Sequence, residues 1–220
     1  PGIYTVSVEI ETVNAKADDV PSNDTMTFQV EIFPHVVTAN RIDEYLSTEP
    51  ILTTMATFAD GLEKPTDLDF FPILAKNELW VVNERVENSG GSTTTIYNAG
   101  TEDQEFLNRT DGNAWHFMSL PTAIAFSENT NFATAPGVKD ANHSGGTFTG
   151  PTLWSSDMDI YAEPSGGNGS HLDMLHQSPF SMGIAAWKDN AFFVFCDYHG
   201  YIHMYDFQED HGPGNDDHSD

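Results

Sequence analysis

Ser178-Pro-Phe-Ser-Met-Gly-Ile-Ala-Ala-Trp-Lys-Asp-Asn-Ala-Phe-Phe-Val-Phe-Cys-Asp-Tyr-His-Gly-Tyr-Ile-His-Met-Tyr-Asp-Phe207 is the stretch from which the fold is read. Met182 to Trp187 is a short apolar segment, followed by the turn cluster Lys188-Asp189-Asn190. Ala191 to Cys196 is an unbroken run rich in aromatic and β-branched side chains, the pattern of a strand covered on both faces. Asp197-Tyr198-His199-Gly200 turns the chain. Tyr201 to Phe207 then alternates, with Ile202, Met204 and Asp206 on one face and Tyr201, His203, Tyr205 and Phe207 on the other. The stretch predicts a three-stranded antiparallel meander.

The same punctuation recurs upstream. Pro65-Thr66-Asp67-Leu68-Asp69-Phe70 and Pro121-Thr122-Ala123-Ile124-Ala125-Phe126 share Pro, Thr and Phe, with Leu68 matched by Ile124. Pro179 opens a third copy, at spacings of 56 and 58 residues. Glu78-Leu79-Trp80-Val81-Val82-Asn83-Glu84 stands where Ala191 to Asp197 stands, and Thr93 to Asn98 where Tyr201 to Asp206 stands. The middle copy has Asn131-Phe132-Ala133-Thr134 as its second strand. A Pro, a Gly-Ile-Ala strand, a polar turn, an apolar strand ending in Asp, a tight turn and an Ile-containing strand together resemble an NHL-type repeat. The resemblance implies an all-β chain holding a partial β-propeller of about three blades. A simple propeller repeat is about 40–50 residues, so these copies carry long insertions. Rings have about 4 to 8 blades, so half of a six-bladed ring, or a ring completed by another chain, is implied. On that ground the natural polypeptide is expected to continue past Asp220.

The 220 residues are 39% hydrophobic and 12% aromatic, as in a globular protein with a sizeable core. Eight Lys and Arg against 34 Asp and Glu give a formal charge of −26. Such a field repels phosphates and anionic lipid, so neither nucleic acid nor membrane insertion is expected. It suits cations, basic partners or a salty medium, and equally a plainly solvated acidic surface. The single cysteine, Cys196, excludes an internal disulfide and lies in an apolar strand as a structural thiol. No signal peptide, membrane-spanning run or lipidation motif is seen.

Residues 1–34 read as a hairpin. Ile3 to Glu11 alternates strictly, Asn14 to Asp24 is a polar loop, and Met26 to Phe33 is a second strand. Pro1-Gly2-Ile3-Tyr4-Thr5-Val6 and Asp18-Asp19-Val20-Pro21-Ser22-Asn23-Asp24-Thr25 resemble the last hairpin of immunoglobulin-like modules in secreted multidomain proteins of the Bacteroidetes type. That resemblance implies a secreted, extracellular or cell-surface setting and a chain that is a piece of something longer. Residues 35–64 form a connector, with one helical turn expected over Arg41 to Leu46 and a strand over Ile51 to Phe58. Residues 65–220 hold the propeller-like copies. Within them Thr101 to Leu120 reads as a polar insertion and Pro136 to Pro179 as a Gly-rich one with little strand pattern.

Candidate chemistry rests on histidines and acids. His116 and His176 lie five and three residues before Pro121 and Pro179, and His218 would stand likewise before a fourth blade. In a propeller these positions face the central channel, and three imidazoles with an open position suit a catalytic Zn²⁺ or another transition metal. His171 and Asp173 share a face if extended, with Asp173 able to orient a ring. The tail gathers Asp210, His211, Asp216, Asp217, His218 and Asp220, and its oxygens suit Ca²⁺, which takes about six to eight. Asp18, Asp19, Asn23 and Asp24 form a smaller cluster. His199 and His203 are discounted as a metal pair, since the sequence reads as turn then strand, which puts them on different elements, or about 13 Å apart if on one strand.

Two functions fit the sequence. One is a secreted, cation-stabilised binding or structural module whose partner is a protein, a glycan or further copies of itself. The other is a metal-dependent lyase or hydrolase. Some NHL propellers, such as the peptidyl-hydroxyglycine lyases, hold a metal with channel histidines, although no lyase motif is matched here residue by residue.

Overall fold

The computed structural model describes residues 2–9, 25–32, 46, 47, 49, 51–87, 89–139, 149–163 and 166–215. It divides into two compact units, Pro1–Thr53 and Thr54–Asp220. The described residues are essentially all-β, arranged as four small antiparallel sheets, none closed.

In the first unit β1 (Gly2–Glu9) pairs with β2 (Thr25–Ile32) without a register break, from Gly2 opposite Ile32 to Glu9 opposite Thr25. Strict alternation puts Tyr4, Val6, Val8, Met26, Phe28 and Val30 at facing positions, and all six are exposed. The loop between these strands and most of the expected helical turn at 41–46 lie outside the described residues. The expected strand at 51–58 is absent. Residues 51–57 have no regular structure, and Phe58–Asp60 is a 3₁₀ turn whose capping box joins Thr57 and Asp60. Apolar composition alone does not make a strand where no neighbour supplies a ladder.

The second unit holds three meanders. The first is β3 (Pro65–Phe70), β4 (Leu79–Asn83), β5 (Gly91–Tyr97) and β6 (Glu105–Asp111). A four-residue helix, α1 (Trp115–Met118), leads to β7 (Pro121–Phe126), β8 (Phe132–Pro136), β9 (Thr152–Trp154) and β10 (Asp173–Met174). The last meander is β11 (Ser181–Lys188), β12 (Ala191–Cys196) and β13 (Tyr201–Asp206). Three of these strands correct the sequence reading. β6 runs through the expected polar insertion, and β9 and β10 lie inside the Gly-rich one.

The first strands share one irregularity. The ladder shifts between Pro65 and Asp67, between Pro121 and Ala123, and between Ser181 and Gly183. A bulge re-aims the side chain it carries. Here the bulged residues are Thr66, Thr122 and Met182. Thr66 Oγ1 donates to the Pro121 carbonyl at 2.6 Å, and Thr122 Oγ1 to the Ser181 carbonyl at 2.5 Å. Each hydroxyl thus ties its sheet to the start of the next. Asp67 and Asp69 add backbone ties, accepting from Ile124 and Phe126 N–H at 3.0 and 2.8 Å.

Strand alternation then splits the core into layers. Trp80 and Val82 of β4 meet Ile124, Phe126, Phe132 and Trp154 between the first two meanders, around the fully buried Tyr161. Ala125, Ala133 and Leu153 face the other way and pack with Phe192 and Phe207 of the third meander. Leu79, Val81 and Ile96 form a third layer under Ala56 and Leu62. Full burial of a side chain such as Phe132 or Leu153 contributes about 1.5–3 kcal/mol.

The sequence reading of β12 needs a correction. Only Ala191, Phe192, Val194 and Cys196 are buried, while Phe193 and Phe195 are 41% and 42% exposed. These two pair with Ala185 and Gly183, the register positions at which β4 places Trp80 and Val82 opposite Asp69 and Asp67. In the first meander the next sheet covers those positions, whereas the third meander has no next sheet among the described residues. The fully apolar run therefore gave the strand but not its covering.

Candidate functional site

A cleft of 460 Å³ opens between the first and second meanders. Its floor is the buried pair Phe71 and Trp80, whose neighbour Phe126 meets both rings edge-on at 5.4 Å. One wall comes from the segment joining β3 to β4, which carries Ile73, Lys76 and Glu78, and from Tyr97 at the end of β5. The other wall is Thr130 of the β7–β8 turn with Ser155, Ser156, Asp157 and Met158 after β9. The size falls in the range of small-molecule sites, about 300–1,000 Å³.

Charge in the cleft is organised around Glu78. Its side chain is only 12% exposed, with Oε1 3.9 Å from Lys76 Nζ. Its Oε2 accepts from Trp80 Nε1 at 3.3 Å. Lys76 Nζ also stands 4.7 Å over the Phe71 ring. Burial, then the Glu78 charge, pushes the Tyr97 phenol above its ordinary range, with Arg109 pulling the other way. Asp157 is the second carboxylate lining the cleft, its Oδ1 accepting from Asp159 N–H at 2.9 Å.

The rim carries backbone strain. Thr130 has φ +75°, a left-handed conformation that a β-branched residue rarely adopts. Its turn is held from below by an amide cluster. Asn129 Nδ2 and Asn131 Nδ2 both donate to Asn190 Oδ1, at 2.9 and 3.0 Å. Asn190 sits in the β11–β12 turn and in turn donates to the Gln208 carbonyl at 3.1 Å.

The sequence-derived metal candidates divide into three groups. His171, Asp173 and His211 come together: the imidazole centroids are 5.1 Å apart and nearly perpendicular, and His211 Nε2 is 3.8 Å from Asp173 Oδ1. The His171 ring donates from Nδ1 to the Asn168 carbonyl at 2.9 Å, and His211 Nδ1 to the Gly212 carbonyl at 2.7 Å. Backbone bonds from His211 N to Leu172 O and from Gly214 N to His171 O lay the tail along this segment. Asp210 and His176 take part in hydrogen bonds of their own. Asp210 accepts from Gly212 N–H at 3.0 Å, and the His176 carbonyl accepts from the Tyr205 hydroxyl at 2.8 Å. Asp216, Asp217, His218 and Asp220, and the side chain of His116, lie outside the described residues, as do Asp18, Asp19, Asn23 and Asp24. Among the described residues no three His, Cys, Asp or Glu side chains are arranged to hold a metal ion.

Other histidines and the thiol have packing roles. His203 lies between Tyr201 and Tyr205, with centroids 5.9 Å from each. His199 is 6.3 Å from His203, closer than one extended strand allows, because the turn at 197–200 bends the chain through Gly200 at φ +67°. Cys196 is buried and donates to the Pro179 carbonyl.

Asp111, which the sequence reading passed over, is buried at the end of β6. It accepts from Ser170 N–H at 2.6 Å, from Ser170 Oγ at 2.7 Å and from Asn113 N–H at 3.1 Å. The Gly-rich 166–170 segment is thereby a clasp for a buried carboxylate. The cleft residues Lys76, Glu78, Tyr97, Thr130 and Asp157 were also passed over. The one signal for them was Lys76, a cation in a chain with eight Lys and Arg.

No helix among the described residues is long and apolar enough to cross a membrane. No family model matches this chain, and no curated protein and no solved structure matches it.

Proposed function

We propose that the second unit is an arc of NHL-type propeller blades that works as a binding module of a secreted protein, with the cleft between its first two meanders as the ligand site. The observation that carries the reading is the cleft itself: a strained Thr130 on the rim of a cavity of 460 Å³ that mixes three aromatic residues, two carboxylates, an ammonium and several hydroxyls. Strained backbone concentrates at ligand sites, and convergent polar groups over an apolar floor are their common composition. The blade reading is supported by the shared bulge and by the hydroxyl tie that Thr66 and Thr122 each make to the following sheet. The hairpin of the first unit, read as part of an immunoglobulin-like module, supports the extracellular setting.

The test is an amide-resonance titration of the whole chain with a panel of monosaccharides, amino acids, carboxylic acids and amines. Saturable shifts confined to Glu78, Tyr97, Thr130 and Ser155 with at least one class are expected. No saturable shift at these residues with any class would remove the reading. Metal analysis on the same sample addresses the alternative of a metal-dependent enzyme, favoured only by the approach of His171, Asp173 and His211. A stoichiometric transition metal would favour that enzyme. The cation-stabilised part of the proposal is checked by melting: millimolar Ca²⁺ is expected to raise Tm above a sodium chloride control of equal ionic strength, and identical curves would remove Ca²⁺.

A further inference from the structure

The cleft contains an ammonium group already placed as a ligand would be. Lys76 Nζ stands 4.7 Å over Phe71 and 3.9 Å from Glu78 Oε1. An aromatic face and a carboxylate on one cation are the recognition elements of an alkylammonium site. The Lys76 side chain is nonetheless 53% exposed, and it springs from the end of the short 3₁₀ turn Leu74–Lys76. Glu78 is the opposite case. It is largely buried, and Trp80 Nε1 fixes the orientation of its carboxylate. The fixed half of the pair is the acceptor, and the tethered half is free to swing out into solvent.

We propose that the cleft binds a primary alkylammonium, as at the end of a lysine side chain or a polyamine, and that Lys76 occupies this site in its absence. The incoming ammonium takes the place of Lys76 Nζ between Phe71 and Glu78. Its alkyl stem lies against Ile73 and Met158, and Asp157 faces it from the far wall. Lys76 swings away as the ligand enters, which makes it an internal competitor. The formal charge of −26 draws basic ligands towards the whole surface and raises their encounter rate. This inference rests on the cleft being a binding site and adds the class of ligand.

The competitor gives the inference a test of two signs. Nα-acetyl-lysine methylamide is titrated into the whole chain, with its Nε-acetylated form and cadaverine as further arms. Lys76→Ala is expected to tighten binding of the lysine amide about threefold, because the occupied fraction of the site no longer subtracts from affinity. Glu78→Gln, which keeps an oxygen for Trp80 Nε1, is expected to weaken it at least tenfold. Lys76→Ala takes the net charge from −26 to −27 and Glu78→Gln takes it to −25, so total charge alone would move affinity with the same two signs but only slightly, and changes far smaller than threefold and tenfold would overturn the inference. Equal binding of the Nε-acetylated amide, or of a sugar in place of any amine, would overturn it too while leaving the cleft as a binding site. Binding of both amines supports the inference. Tighter binding of cadaverine names a polyamine as the source, and tighter binding of the lysine amide names a protein side chain. Circular dichroism of both variants checks that each is folded.

Discussion

Thr66 Oγ1 donates to the carbonyl of Pro121 at 2.6 Å, and Thr122 Oγ1 repeats the bond 56 residues later, to Ser181 at 2.5 Å. Each hydroxyl sits in a bulge at the start of its sheet and reaches the start of the next. Thr66→Val and Thr122→Val keep the shape and delete the donor. Each is expected to cost about 1 kcal/mol, the usual net worth of one hydrogen bond. The costs should add, since the two bonds share no partner. Urea unfolding reads both numbers. A double variant as stable as the parent would show that the ties do not hold the sheets together.

Asp69 couples the same interface to pH. It accepts from Phe126 N–H and from its neighbour Phe70 N–H, both at 2.8 Å, yet burial outweighs these bonds and raises its pKa above 3.8. A carboxyl with a raised folded pKa favours folding in its protonated form. Its contribution is greatest below 3.8 and is lost as pH rises through the folded value. Asp206 has the opposite sign. The Lys188 ammonium, 2.7 Å away, lowers its pKa, so its contribution is present above 3.8 and fades as pH falls through the folded value. Asp69→Asn is therefore expected to remove the part of the stability loss that occurs as pH rises from 3.8. Asp206→Asn is expected to remove part of the loss on acidification. Melting of both variants across pH 3 to 7 checks the two signs.

Gly169 is held by a neighbour as well as by its own backbone. Its φ is +73°, and a Cβ there would stand 2.5 Å from Asp111 Oδ1. The carboxylate cannot retreat without giving up Ser170. Gly169→Ala is expected to cost about 3 kcal/mol, from left-handed strain of about 1–2 kcal/mol plus the disturbed buried hydrogen bonds. Gly167→Ala is the control, since a Cβ at Gly167 meets nothing within 4 Å. Its effect should be within about 0.5 kcal/mol. Similar costs at both positions would mean that the clasp on Asp111 does not matter.

How far the sequence could be read follows from the range of each signal. β12 and β13 were legible because a period-two pattern between turn residues is local, and Asn190 at φ +53° and Gly200 at φ +67° occupy the turns it marked. β6 was not legible. Its Asn108-Arg109-Thr110 centre is polar, and it is an edge strand defined by pairing to β5. β9 and β10 have three and two residues, too few to show a period. The exposure of Phe193 and Phe195 was hidden for a related reason: a run of apolar residues does not say which face has a neighbour. In the site, the spacing of His171 and Asp173 could be seen in the sequence, but the tail brings His211 to them through backbone bonds that leave no trace there. The cleft draws on residues from 71 to 158, with Glu78 set by an indole and Thr130 by a turn. No local pattern announces such a meeting.

Thr130 offers the sharpest separation of stability from binding. A β-branched residue at φ +75° carries left-handed strain of about 1–2 kcal/mol, and glycine there carries none. Against that relief stands the extra chain entropy that glycine loses on folding, about 0.5–1 kcal/mol. Thr130→Gly is therefore expected to stabilise the chain by roughly 0–1.5 kcal/mol, centred on about 0.75 kcal/mol. It also removes a hydroxyl from the cleft rim and loosens the turn that Asn190 braces through Asn129 and Asn131. Affinity for the cleft ligand should fall about threefold to tenfold while Tm rises. Such an exchange is expected where strain is kept for a site rather than for the fold. Calorimetric melting and the amine titration, run on the same sample, check the two halves together. A variant that melts lower, or one that melts higher and binds as well as the parent, would show that the strain at Thr130 does not serve the cleft.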